Sequence, residues 1–145
     1  MLRDLIASDV EAICEINKEA LGYAFSSEET ASQLARLSKD PHHFLLGYED
    51  DASHELLGYD HAEVYECLYS NVGFNILALA VLPQRQGMGI GKILLEGLEQ
   101  EAKRRGYEFI RLNSADHRLG SHSSYEKVGY TCDKMQKRYI KMTKG

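Results

Sequence analysis

A chain of 145 residues, 43% hydrophobic and 27% charged with only two prolines, is long enough to bury one core and too short for two comfortable ones. It reads as a single folded domain over residues 1–145. Its 17 Lys and Arg stand against 22 Asp and Glu, and a net charge of −5 supplies no cationic excess for a nucleic-acid backbone, so no DNA or RNA partner is expected.

No apolar run approaches the roughly 20 residues that cross a bilayer, and Met1-Leu2-Arg3-Asp4 meets charge where a signal peptide would be apolar. The chain is therefore read as cytoplasmic, with no membrane partner. Cys14, Cys67 and Cys132 are odd in number and widely spaced, which argues for three buried thiols rather than disulfides or a zinc site. The histidines, His42 and His43 included, show no ligand spacing, and no metal is predicted.

In chain order, Leu2, Leu5 and Ile6 suggest a short strand. Ser8 with Glu11 fits a capping box opening a helix that places Ile13, Ile16 and Ala20 on one face. A second helix starts near Ser27, with acids in its first turn, and runs through Leu34 and Leu37 until Pro41. Residues 44–48 and 56–65 read as strands about a polar turn, and residues 75–82 form an apolar run suited to the middle of a sheet. From Gly89 onward Ile90, Ile93, Leu94, Leu98 and Ala102 recur at helical spacing until Gly106 stops the helix. A strand over 108–113, a short helix ending near Gly129 and a last alternating strand around 138–142 complete the order. That last strand offers an edge for pairing, and a homodimer is a possible assembly.

The segment between the apolar strand and the long helix carries the chemistry: Gln86-Gly87-Met88-Gly89-Ile90-Gly91-Lys92. Glycines allow positive φ and close approach by a bulky anion, and a helix start offers unpaired N–H groups and partial positive charge. Three alternating glycines each cost up to about 1 kcal/mol of helix propensity, and no tight turn requires three. The segment reads as a pyrophosphate cradle. A Walker loop is excluded because Gln86 stands at its first glycine and Ile93 at its magnesium-binding hydroxyl; a dinucleotide fingerprint is excluded because Lys92 stands at its third glycine.

Residues 86–91 match the Gln/Arg-x-x-Gly-x-Gly/Ala signature of the GNAT superfamily of acetyl-CoA-dependent N-acyltransferases, and the preceding residues 79–83 look like that family's central strand. Further on, Arg118-Leu119-Gly120-Ser121-His122-Ser123-Ser124-Tyr125-Glu126-Lys127-Val128-Gly129-Tyr130 resembles its Arg-x-x-Ala-His-x-Phe-Tyr-Glu-x-x-Gly-Phe segment, departing at Ser121, Ser124 and Tyr130. The resemblance implies an α/β (α+β) fold: a mixed, mostly antiparallel sheet of six to seven strands, splayed at its central strands and flanked by four helices.

It also implies acetyl-CoA as co-substrate and an acceptor amine from a small molecule or peptide. The pyrophosphate would take N–H groups of Gln86, Gly87, Met88, Gly89, Ile90, Gly91 and Lys92, while the pantetheine arm pairs with Leu79, Ala80 and Val81. An oxyanion would be held by backbone N–H near Val81. Tyr125 falls where the family places the tyrosine that protonates the departing thiolate; a phenol with an ordinary pKa near 10 is protonated at neutral pH. For the base the candidates are Glu63, Glu66 and His61, with Glu63 preferred; position 75, often acidic in relatives, is Asn75. His122 either bonds the cofactor or caps a helix, and Asn113 is a further cofactor candidate. Tyr23 and Phe25, between the first two helices, either line the acceptor pocket or anchor the core. A non-catalytic acyl-CoA-binding sensory domain is the alternative to an enzyme.

Overall fold

The structure is a computed structural model and describes residues 1–144. Its strands are β1 (Leu2–Arg3), β2 (His43–Glu49), β3 (Leu56–Tyr65), β4 (Gly73–Val81) and β5 (Ile110–Leu112). Its helices are α1 (Val10–Ile16), α2 (Ser27–Leu37), α3 (Ile90–Arg105) and α4 (Leu119–Lys127). The strands form one sheet in the order β1-β2-β3-β4-β5, antiparallel except where β4 meets β5. The backbone divides into two compact units, Met1–Asn113 and the segment from Ser114 onward.

The long elements form where the hydrophobic periods lie, and their ends follow local chemistry. Ser26 accepts a hydrogen bond from the Glu29 amide and so caps α2, one residue ahead of the expected start. Gly106, at φ 75°, closes α3. The expected Ser8 cap does not form. Ser8 lies in a 3₁₀ turn (Ala7–Asp9), where the Asp9 carboxylate accepts the Ile6 amide and grips both terminal nitrogens of Arg3. A charged carboxylate with two guanidinium contacts outcompetes a serine hydroxyl. Past α1 the chain makes one π-helical turn (Asn17–Leu21) before Gly22 breaks it.

Cross-strand partners share a face, and the two faces differ. One carries Phe44, Leu46, Asp60, Ala62, Phe74 and Ile76 and packs on α3, whose Arg105 lies over the Phe44 and Phe74 rings. On the other, the Tyr59 hydroxyl donates to Asn17, just past α1, and Leu57 and Tyr59 bury with Ile13 and Ile16. Farther along β3 this second face turns polar, with His43, His61, Glu63, Asn75 and Arg111.

Two expectations are corrected. The sheet has five strands among the described residues, not six or seven, because residues 131–144 carry no regular structure and are exposed. The alternating pattern at 138–142 lacks a neighbouring strand to satisfy its backbone, and alternation alone does not make a sheet; the edge proposed there for a dimer is therefore not formed. The thiols are free but not all buried: Cys14 and Cys67 are half-buried and Cys132 is exposed. No helix is long and apolar enough to cross a membrane among the described residues.

Candidate active site

β4 and β5 pair only at Phe74–Ile110, Asn75–Arg111 and Ile76–Leu112. β4 then runs on to Val81 while β5 has ended, so residues 77–81 have no strand partner on that side among the described residues. A bulge accentuates the parting: His61 faces Ala78 and Ala62 faces Ile76, leaving Leu77 extra and half exposed. The unpaired edge of Leu79, Ala80 and Val81 is backbone with hydrogen-bonding capacity to spare.

At the end of that edge the chain makes a 3₁₀ turn (Pro83–Arg85) and enters α3. The Gln86 side chain donates to the Val81 carbonyl at 3.1 Å, tying the turn to the strand end. Gly87 and Gly89 sit at φ 82° and 83°, which side chains resist, so glycine is required there by the backbone. Gly91 has an ordinary φ, and a Cβ added to it would meet no protein atom within 4 Å. Nothing in the fold demands glycine at 91. The open space over Gly87, Gly89 and Gly91, facing the first-turn amides of a sixteen-residue helix with no acid in that turn, fits a pyrophosphate. Met88 and Lys92 are exposed beside it, whereas the Ile90 side chain is buried and only its amide is on offer.

On the polar face, the Asn75 amide donates to Glu63 Oε2 at 3.1 Å and accepts from Arg111 at 2.7 Å. Arg111 also donates to Asn113 Oδ1 at 3.2 Å. His43 Nδ1 lies 2.9 Å from His61 Nε2, and burial with the neighbouring His43 pushes the His61 pKa down to about 4, so its imidazole is neutral. Glu66 lies past the end of β3, exposed and away from this row.

A model of the acetyltransferase (GNAT) family matches residues 10–130. The chain belongs to this family. Solved structures share its fold over almost their whole length. A transcriptional regulator from Bacillus halodurans C-125 superposes with a TM-score of 0.85 at 17% identity, covering 97% of this chain and 98% of that one. The aminoglycoside 6'-N-acetyltransferase of Acinetobacter baumannii gives 0.82 at 16%, covering 100% and 99%. Glucosamine-6-phosphate N-acetyltransferase from Arabidopsis thaliana gives 0.77 at 20%, covering 100% and 97%. Among curated protein sequences none matches the chain.

The remaining GNAT candidates divide between the two units. Tyr23 and Phe25 are 65% and 45% exposed, so neither is a core anchor. Phe25 lines a cleft of about 1050 Å³ bounded also by Glu11, Glu15, Glu19 and Glu55, with Lys18 the one cation of its lining among the described residues. In the second unit, burial raises the pKa of Tyr125, whose ring packs 5.9 Å from that of Tyr130. His122 Nε2 is 2.8 Å from the Ala115 carbonyl, a tie within its own loop and helix.

Sequence reasoning missed two features. The row that links Glu63 to Arg111 spans three strands, so no local spacing announces it, although the polar residues at 61, 63, 75 and 111 inside apolar strands were its trace. The other is Asp60, wholly buried on the α3 face with neither carboxylate oxygen hydrogen-bonded.

Proposed function

We propose that this chain transfers the acetyl group of acetyl-CoA to a primary amine of a small molecule or peptide, by direct attack in a ternary complex. The observation that carries the reading is the open glycine cradle at 87, 89 and 91, continuous with the unpaired edge of β4. Main-chain groups can hold a pyrophosphate and an amide-bearing arm there, and CoA carries both.

In this reading the amine nitrogen attacks the thioester carbonyl carbon, forming the C–N bond. The amine's proton passes to Glu63, directly or through a water, and backbone N–H groups of β4 near Val81 hold the oxyanion. The C–S bond then breaks and the thiolate takes the phenolic proton of Tyr125. An acetylated amine and free CoA leave, and solvent resets both groups. Tyr125 owes its part to the sequence resemblance, supported by a burial-raised pKa that keeps the phenol protonated. Asn113 and His122 would help hold the cofactor. The carboxylates around the Phe25 cleft favour an acceptor that is cationic, as aminoglycosides are.

Thiol release from acetyl-CoA across a panel of amines, with calorimetric CoA binding as control, tests this. Turnover that falls about ten-fold or more in Tyr125→Phe while CoA binding survives is the expected result. Tight CoA binding without turnover on any amine would instead favour a sensory acyl-CoA-binding domain.

A further inference from the structure

Four strands each give one side chain to a single row across the sheet. His43 of β2 stands opposite Glu63 of β3, Glu63 opposite Asn75 of β4, and Asn75 opposite Arg111 of β5. The next pair, Ile76 and Leu112, is the last that β4 and β5 make. The row therefore lies where the two strands part, next to the edge on which the proposed cofactor arm would lie.

The orientation of its central amide is fixed. A guanidinium has only donors, so the atom of Asn75 that meets Arg111 Nη1 at 2.7 Å must be the carbonyl oxygen. Nδ2 is then the atom that meets Glu63 Oε2 at 3.1 Å, and it donates. Arg111 is itself held twice more, by Asn113 Oδ1 at 3.2 Å and by the Tyr65 ring 4.8 Å below its central carbon. No carboxylate lies within ion-pair distance of Arg111 among the described residues. Its charge is passed on through the Asn75 amide, which a cation at Oδ1 makes a stronger donor.

The other groups on this face do not compete for Glu63. His43, directly opposite, points its Nδ1 at His61 instead. His61 is neutral and bonded to His43, and Tyr65 is taken up beneath Arg111.

We infer that Arg111 and Asn75 are positioning residues for Glu63: a guanidinium–amide relay fixes one carboxylate oxygen and leaves the other to take the acceptor amine's proton. This rests on the reading of Glu63 as the base. A carboxylate at the end of a flexible side chain samples many orientations, and tethering Oε2 selects those in which Oε1 is presented consistently.

The test is steady-state thiol release from acetyl-CoA with spermine or neamine as acceptor, on Glu63→Gln, Asn75→Ala, Arg111→Gln and Arg111→Lys, and on Asn75→Ala and Arg111→Gln each combined with Glu63→Gln. Thermal unfolding and calorimetric CoA binding establish that each variant is folded. Expected are a loss in kcat of about 100-fold for Glu63→Gln, and about ten-fold losses for Asn75→Ala and Arg111→Gln at unchanged KM for acetyl-CoA. Within the Glu63→Gln background those two changes should cost less than about two-fold, because there is no carboxylate left to position. Arg111→Lys, which still offers Asn75 a donor, should recover part of the rate. Full effects of Arg111→Gln in the Glu63→Gln background, or no effect in the native one, overturn the relay while leaving the base standing. Activity intact in Glu63→Gln, or no turnover with either acceptor, overturns the base reading and the relay with it.

Discussion

At the scale of single residues, the most costly feature is Asp60. Its strand neighbours are Leu46 and Leu79, its face packs on α3, and neither oxygen has a partner. An ionised carboxylate in that setting would be strongly penalised, so burial raises its pKa well above the ordinary value and the native protein carries it protonated. The consequence for stability has a definite sign. The unfolded chain releases this proton near pH 4, whereas the folded one retains it to a much higher pH. Stability from this group is therefore greatest in acid and declines by about 1.4 kcal/mol per pH unit between the two pKa values. Asp60→Asn removes the titration while keeping the volume. We expect it to raise the melting temperature at pH 8 by several degrees and to have little effect near pH 4; thermal unfolding across that range is the measurement. Parallel curves for the two proteins would mean that Asp60 is ionised and compensated in the fold. Nothing in the sequence marked this residue, because Asp60 alternates with Tyr59 and His61 as a solvent-facing strand residue would, and only the packing of α3 over β3 decides otherwise.

At the scale of elements, most of what was legible came from glycine and from period. The turn into α3 could be read because three glycines stand at alternate positions, although the backbone demands only Gly87 and Gly89, and β3 and α3 because their apolar residues recur over ten and sixteen residues. The failures have a common cause. The cap at Ser8 and the strand at 138–142 each depend on a partner remote in sequence: Arg3 draws Asp9 into the capping role, and no strand receives the last segment. The glycine turn also lets folding and binding be separated. Gly89→Ala forces a side chain into the left-handed region, at a cost of about 1–2 kcal/mol, and should lower both stability and CoA affinity. Gly91→Val meets no protein atom near its Cβ but fills the space over the first-turn amides. Calorimetry should show CoA affinity reduced about ten-fold or more, with a melting temperature that does not fall, because valine has a higher helix propensity than glycine. Unchanged CoA affinity in Gly91→Val would place the pyrophosphate elsewhere.

At the scale of the whole molecule, the charge balance that argued against nucleic acid acquires a second meaning. A formal net charge of −5 is not spread evenly: Glu11, Glu15 and Glu19 recur four residues apart along α1 and its π-helical turn, with Glu55 across the same cleft. Carboxylates at that spacing line one helical face and repel one another, a cost that a polycationic acceptor relieves on binding. Composition supplied the sign of the charge, but only the fold collects these four acids about one cleft beside Phe25. Screening gives the test, since the Debye length falls from about 10 Å at 0.1 M salt to about 3 Å at 1 M. Between 0.05 and 0.5 M salt we expect the KM for a tetravalent amine such as spermine to rise several-fold, and that for a monoamine of similar length to change less than about two-fold. Replacing Glu15 and Glu19 by Gln should flatten the spermine response. The same salt dependence for both amines would show that the cleft's carboxylates take no part in acceptor binding, and that selectivity lies in the row from His43 to Arg111.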